Sequence, residues 1–200
     1  MDTKQLLFHG SSVPNLETLE NYSKLHGSDQ KRVVYLSGSI PYALVYIWSE
    51  AKTGTARKWV TSWIRDGIVY YEEQFPDQLR TFYEGVSGYI YCVGESQEIF
   101  SMPGREALYY SLNPVRVQSI MPVDDVYQEL LRYEQEGKFR LIRFAEMSEE
   151  RQNELTDRIV TVIKQENLLR AETEHAAFIR RHFTRAWENA MAELRNVRKQ

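Results

Sequence analysis

Apolar and polar positions alternate in short bursts along the first two thirds of the chain, and at helical spacing along the last third. Residues 5–9 form one apolar burst that ends on His9. It reads as a strand, because a half-buried strand places alternate side chains on opposite faces. The segment from Ser11 to Lys31 is polar and broken by Pro14, Asn15, Asn21 and Gly27, so it reads as a loop with at most a short helix. Arg32–Leu36 is a second strand. Ser39-Ile40-Pro41 then reads as a helix start, with Ser39 as cap and proline in the first turn. Tyr42, Val45, Tyr46 and Ser49 follow at three-to-four spacing. Thr53-Gly54-Thr55 interrupts them, and Ala56 to Arg65 reads as a further helix with Trp59 and Trp63 on one face.

Asp66-Gly67 marks a turn ahead of a strand from Ile68 to Phe75, and Pro76–Tyr83 reads as a short helix closed near Gly85. Gly88–Val93 is a strand and Gly94–Arg105 is turn-rich. Ala107–Ser111 and Val115–Met121 are strands parted by Asn113-Pro114. A helix from Asp124 or Asp125 to about Glu136 is closed by Gly137, and Phe139–Phe144 forms a last strand. From Ser148 onward Leu155, Ile159, Val162, Ile163 and Leu169 make one apolar stripe. Phe178, Ile179, Phe183, Ala186, Trp187, Ala190, Leu194 and Val197 make a second. Short strands with inserted helices predict an α+β fold rather than a doubly wound parallel sheet. A C-terminal helical segment follows it. The division this implies is an α+β domain over 1–147 and a helical extension over 148–200, either packed on the core or joining a second chain into a homo-oligomer.

Composition narrows the function classes. Two hundred residues with 42% hydrophobic and 26% charged content are ordinary for a soluble globular chain, and a net charge of −3 supplies no field for nucleic acid or anionic membrane. Between Arg170 and Gln200 seven basic residues (170, 180, 181, 185, 195, 198, 199) face four acidic ones (172, 174, 188, 193), an excess expected on a solvated helix face. The single cysteine, Cys92, excludes an internal disulfide and reads as a small buried hydrophobe inside its strand. Met1-Asp-Thr-Lys opens no signal peptide and no run is long enough to span a bilayer, so a cytoplasmic protein with no membrane partner is expected. His175 and His182 lie seven apart, two turns where a chelating pair wants one. No His-Glu-x-x-His or Cys-x-x-Cys occurs, and no metal is expected. The glycine signatures of a P-loop and a Rossmann site, and the Gly-x-Ser-x-Gly elbow, are absent as well.

What remains is an ordered set near the N-terminus. His9 ends a strand and is followed by Gly10, a residue that lets backbone approach a ligand closely. Tyr35 ends the next strand, with Ser37 beyond it. Tyr46 follows eleven residues after Tyr35, so that two rings face one cleft and would sandwich a planar, preferably cationic, ring. The bland reading of each is packing: two tyrosines among thirteen are by default core or boundary aromatics, and a strand-end histidine is by default a structural hydrogen-bonding group.

Taken in order, these residues resemble the His-Tyr-Glu class of the ADP-ribosyltransferase fold, the type of diphtheria toxin and the poly(ADP-ribose) polymerases. His9-Gly10-Ser11 matches its first motif, Val34-Tyr35-Leu36 its second, and Tyr46 its additional stacking tyrosine. Glu106-Ala107-Leu108-Tyr109-Tyr110 is similar to its late glutamate strand, and the resemblance covers residues 5 to about 123. It implies an α+β core of two small, mainly antiparallel sheets with inserted helices, and an NAD-dependent ADP-ribosyltransferase (or NAD glycohydrolase), a glycosyltransferase-type enzyme with NAD as co-substrate. The catalytic residues would then be Glu106, His9 and Tyr35, and the NAD-binding residues His9, Gly10, Ser11, Tyr35, Ser37 and Tyr46. The acceptor would be a protein, a nucleic acid or a small molecule. Two positions depart from the pattern: Ala43 stands where many polymerases carry a serine, and Ala107 replaces an aromatic. Glu95 and Glu98 compete with Glu106 for the acidic role. The alternative is a non-catalytic module on a degenerate transferase fold that binds a nucleotide or a partner.

Overall fold

The computed structural model describes residues 6–28, 30–54, 59–94, 96 and 98–197. In chain order the strands and helices are β1 (Leu6–Ser11), β2 (Thr18–Leu19), β3 (Ser23–Lys24), β4 (Arg32–Ser37), α1 (Ile40–Leu44), α2 (Glu50–Thr53), β5 (Thr61–Arg65), β6 (Ile68–Glu72) and α3 (Gln78–Tyr83). They continue as β7 (Gly88–Gly94), β8 (Ile99–Ser101), β9 (Leu108–Ser111), β10 (Val115–Arg116), β11 (Ser119–Val123), α4 (Val126–Gln135), β12 (Phe139–Ile142), α5 (Glu149–Gln165), α6 (Glu174–His182) and α7 (Thr184–Val197).

The fold is α+β, as the strand pattern implies, and its sheets are largely antiparallel. The main sheet runs β11-β7-β1-β4-β9-β8, with β3 added beside β4, and every pairing within it is antiparallel. A three-stranded sheet, β12-β6-β5, contains the one parallel pair among the described strands, and β2 with β10 makes a two-stranded ribbon. The expected pair of small sheets is therefore one large sheet, one small sheet and a ribbon.

Two readings of local structure change. The described residues of 11–31 hold two short strands and no helix. The helix expected over Ala56–Arg65 is not formed in its described part: residues 55–58 lie outside the described region, and Thr61–Arg65 is strand β5. Tertiary pairing overrides the helical spacing of the two tryptophans. Asp66 and Gly67 both adopt positive φ (52° and 75°), which closes a tight hairpin, and Trp63 then lies flat against its cross-strand partner Tyr70 at 5.4 Å and 4°. Helix α1 is also shorter than the spacing implies, ending at Leu44.

The C-terminal helices pack on the α+β body. One apolar cluster runs from Ala43 of α1 and Ile47 just after it, through Phe75, Leu79 and Phe82 around α3, to Ile159 and Ile163 of α5, Phe178 of α6, Phe183 between the last two helices and Ala190 of α7. Ser148 caps α5, its hydroxyl accepting from Arg151 N–H, and Thr173 caps α6 in the same way. Several polar groups buried at this seam are paired. Arg151 donates to both carboxylate oxygens of Glu72 at 3.0 and 2.8 Å, and Arg158 donates to Gln74 at 2.6 Å. Glu73 accepts from the backbone N–H groups of Leu79 and Phe144. A smaller cluster of Leu7, Leu19, Val34, Leu36, Tyr91 and Val93 forms a second core. No helix among the described residues is long and apolar enough to cross a membrane.

Candidate functional site

Strands β1 and β4 are neighbours in the main sheet, yet their ladder holds one registered pair, Phe8 with Ser37. β1 is registered with β7 along its whole length. On its other side the ladder stops at Phe8, and there a cleft of about 640 Å³ opens. A gap in a ladder leaves backbone groups needing other partners. One of them is met by a side chain: His9 Nδ1 lies 3.0 Å from the carbonyl oxygen of Tyr35. A carbonyl only accepts, so Nδ1 carries the proton, and Nε2 is the acceptor nitrogen of the neutral ring. His9 thus bridges the two strands and is presented to the cleft in a defined tautomer.

Gly10 has a steric reason as well as a chemical one. A Cβ placed on it would stand 2.0 Å from the carbonyl oxygen of Ala43, because α1 packs directly across β1 at this point. Any larger residue would lift α1, and with it the tyrosines that α1 and the following turn deliver. Tyr42, at the centre of α1, is 7% exposed and its hydroxyl lies 3.1 Å from that of Tyr46. Their rings are tilted, with centroids 5.3 Å apart. Tyr46 itself is 38% exposed and faces the cleft, steadied from behind by its buried neighbour. Burial, with the adjacent Tyr46 hydroxyl, pushes the Tyr42 hydroxyl well above the ordinary tyrosine range, so it stays protonated and remains a donor.

Tyr35 closes the cleft from the other side. Its hydroxyl donates to the Lys24 carbonyl at 2.9 Å and accepts from His26 N–H at 2.8 Å, which holds the 23–27 loop at the cleft mouth. Ser11 accepts from Val13 N–H. Ser37 accepts from Ser39 N–H and donates to the Ala107 carbonyl. Both serines line the cleft while shaping the turns that follow their strands.

All six residues read from the sequence as ligand-binding, His9, Gly10, Ser11, Tyr35, Ser37 and Tyr46, line this one cleft. Glu106 does not. It is exposed, and its carboxylate accepts from Asp66 N–H at 2.9 Å and Gly67 N–H at 2.7 Å, capping the β5–β6 turn. Of its rivals, Glu98 accepts weakly from Asn113 at 3.4 Å outside the cleft, and Glu95 lies outside the described residues. No carboxylate stands among the described residues that line the cleft.

Sequence reasoning missed Arg105, Tyr42, His26 and Ser23, which also line it. Tyr42 had a signal, its four-residue spacing from Tyr46. Arg105 and His26 sit in loops and Ser23 in the two-residue strand β3, where no periodicity points inward. The other two histidines belong to the core. His175 stacks on Trp59 at 5.8 Å and 10° with Glu166 3.2 Å from Nε2, and His182 lies 4.7 Å from both Phe75 and Phe178. No cluster of three or more metal-ligating side chains occurs among the described residues. Cys92 is a buried free thiol in β7. Compared with known protein families, curated proteins and solved structures, the chain matches none.

Proposed function

We propose that the cleft binds NAD and that the protein is an NAD-dependent ADP-ribosyltransferase or NAD glycohydrolase. The observation that carries this reading is the convergence of His9, Gly10, Ser11, Tyr35, Ser37 and Tyr46, drawn from two strands and a helix-following turn, on one cleft. In this reading the nicotinamide ring lies between Tyr35 and Tyr46, where a cationic ring gains from two π faces. His9, with its proton held on Nδ1 by the Tyr35 carbonyl, accepts a ribose hydroxyl at Nε2. Cleavage breaks the C1′–N bond, the pair of electrons leaving with neutral nicotinamide. The cationic ribose is then captured by an acceptor nucleophile or water, which loses a proton. Stabilising that developing charge is the largest task of the site.

The carboxylate for this task is Glu106, whose backbone neighbour Arg105 lines the cleft while Glu106 itself caps a turn. That placement favours a second reading, a module that binds the nucleotide and does not cleave it. Purified protein incubated with NAD distinguishes the two by nicotinamide release. The transferase reading expects release that His9→Ala and Glu106→Gln both abolish. NAD binding with no release, unaltered by Glu106→Gln, establishes the binding module. Absence of both binding and release removes the NAD reading.

A further inference from the structure

The loop between β8 and β9 reverses the charge that the cleft was expected to carry. Met102 N–H donates to the Leu108 carbonyl and Arg105 N–H to the Met102 carbonyl, and Gly104 takes φ 70°. Gly38 N–H and the Ser37 hydroxyl both hold the Ala107 carbonyl, tying the far end of the loop to the end of β4. Ala107 itself sits at φ 52°, a left-handed conformation that non-glycine residues rarely adopt. Within this fixed turn consecutive side chains part: Glu106 goes to the β5–β6 hairpin and Arg105 goes to the cleft.

Arg105 is the one formally charged side chain among the described residues lining the cleft. Its guanidinium makes no hydrogen bond or ion pair among the described residues. It reaches close enough to Tyr42 to oppose, in small part, the upward push that burial exerts on that hydroxyl. Its neighbour Glu106 has both oxygens engaged by the Asp66 and Gly67 amides. The rest of the polar lining consists of serine and tyrosine hydroxyls, the Trp48 indole and the imidazoles of His9 and His26. A chain with three more acidic than basic groups (28 against 25) thus presents a cleft without a carboxylate and with one unpaired planar cation. A guanidinium in that state matches the oxygens of a phosphate, which it grips in pairs.

We propose that Arg105 is the anion-recognition residue of the cleft, so that a ligand carrying phosphate is bound more tightly than the corresponding nucleoside. This rests on the NAD reading for the identity of the base but not for the anion. The test is equilibrium titration of wild type and Arg105→Gln with three probes: carba-NAD, which lacks the cleavable glycosidic bond, nicotinamide riboside, and inorganic diphosphate. Arg105 is exposed, so the variant folds, and its circular dichroism and melting transition verify this. Loss of one charge-assisted contact weakens carba-NAD and diphosphate by about tenfold or more and leaves nicotinamide riboside unchanged. Added salt weakens the wild type more steeply than the variant. An Arg105→Gln affinity for carba-NAD within twofold of wild type overturns the proposal, as does an equal loss for nicotinamide riboside or a failure of diphosphate to bind wild type. Arg105-dependent diphosphate binding, with neither nicotinamide compound bound, upholds the anion site and removes the NAD reading.

Discussion

The cleft between β1 and β4 and the seam between β6, α3 and the C-terminal helices are made of the same materials, and they use them in opposite ways. Each combines tyrosines or phenylalanines with histidine and other polar groups. At the seam the rings close on one another: Phe75, Phe82, Phe178 and Phe183 make mutual edge and tilted contacts at 5.3–6.3 Å, and the carboxylates of Glu72 and Glu73 are fully engaged. At the cleft the ladder stops after one pair, Tyr46 is left 38% exposed, and polar groups hold loops open rather than shut. The difference lies in backbone continuity. Where helices can slide together, aromatic surface is consumed by packing; where two strands part, neighbouring strands hold the gap apart and the rings remain available.

The largest expected effect comes from the seam. Phe178→Ala removes a ring shared by Trp59, Phe75, Phe82 and Phe183, and costs about 3–5 kcal/mol in denaturant unfolding. Because one apolar cluster spans body and helices, unfolding remains a single transition. A separate early transition of the last fifty residues would break the contrast by making the seam a domain interface.

Next is Gly10→Ala, whose added methyl meets the Ala43 carbonyl and forces α1 off β1. A loss of about 1–3 kcal/mol is expected, with weaker nucleotide binding because Tyr46 moves with α1. Thermal melts alongside ligand titration check both; full stability would show that the close approach does not matter.

Smaller again is Tyr35→Phe, which deletes the contacts to the Lys24 carbonyl and His26 N–H. It costs about 0.5–1.5 kcal/mol. The informative readout is amide exchange of residues 23–27, which quickens if this hydroxyl holds the loop.

The smallest effect is a titration. Burial, helped by Arg181, holds the His182 imidazole below its ordinary value of 6.5. Below that value the unfolded chain takes up a proton that the folded one refuses. Stability therefore falls as pH drops from 6.5 toward the depressed folded value, then levels. Burial raises the Glu73 carboxyl above 4.5, so its own contribution also falls, but as pH rises from 4.5 toward the raised value. Unfolding midpoints across pH 3–8 (roughly the span of both windows) for wild type, His182→Phe and Glu73→Gln separate these two slopes. A slope near 6 that persists in His182→Phe would place the titration elsewhere.

Much of the molecule was legible in the chain because local chemistry and tertiary context agreed. Asp125 caps α4 and Gly137 closes it at φ 73°. The stripe of Leu155, Ile159 and Ile163 is buried as its spacing implies, and so is the strand holding Cys92. Where they disagreed, pairing won: Trp59 and Trp63 have helical spacing, yet Trp63 belongs to a hairpin strand.

The chain by itself determined which side chains reach the cleft from β1, β4 and the turn after α1, because a strand end followed by glycine and a helical spacing of tyrosines are properties of a few adjacent residues. Tertiary structure alone decided that β1 and β4 part after one pair, that Gly10 makes room for Ala43, and that Arg105 rather than Glu106 faces the cleft. Those outcomes depend on contacts between residues 26–40 positions apart, His9 with Tyr35, Gly10 with Ala43, and Glu106 with Asp66 and Gly67. Periodicity reports which face a residue occupies within its own element; it carries no record of which distant backbone amides will claim a carboxylate.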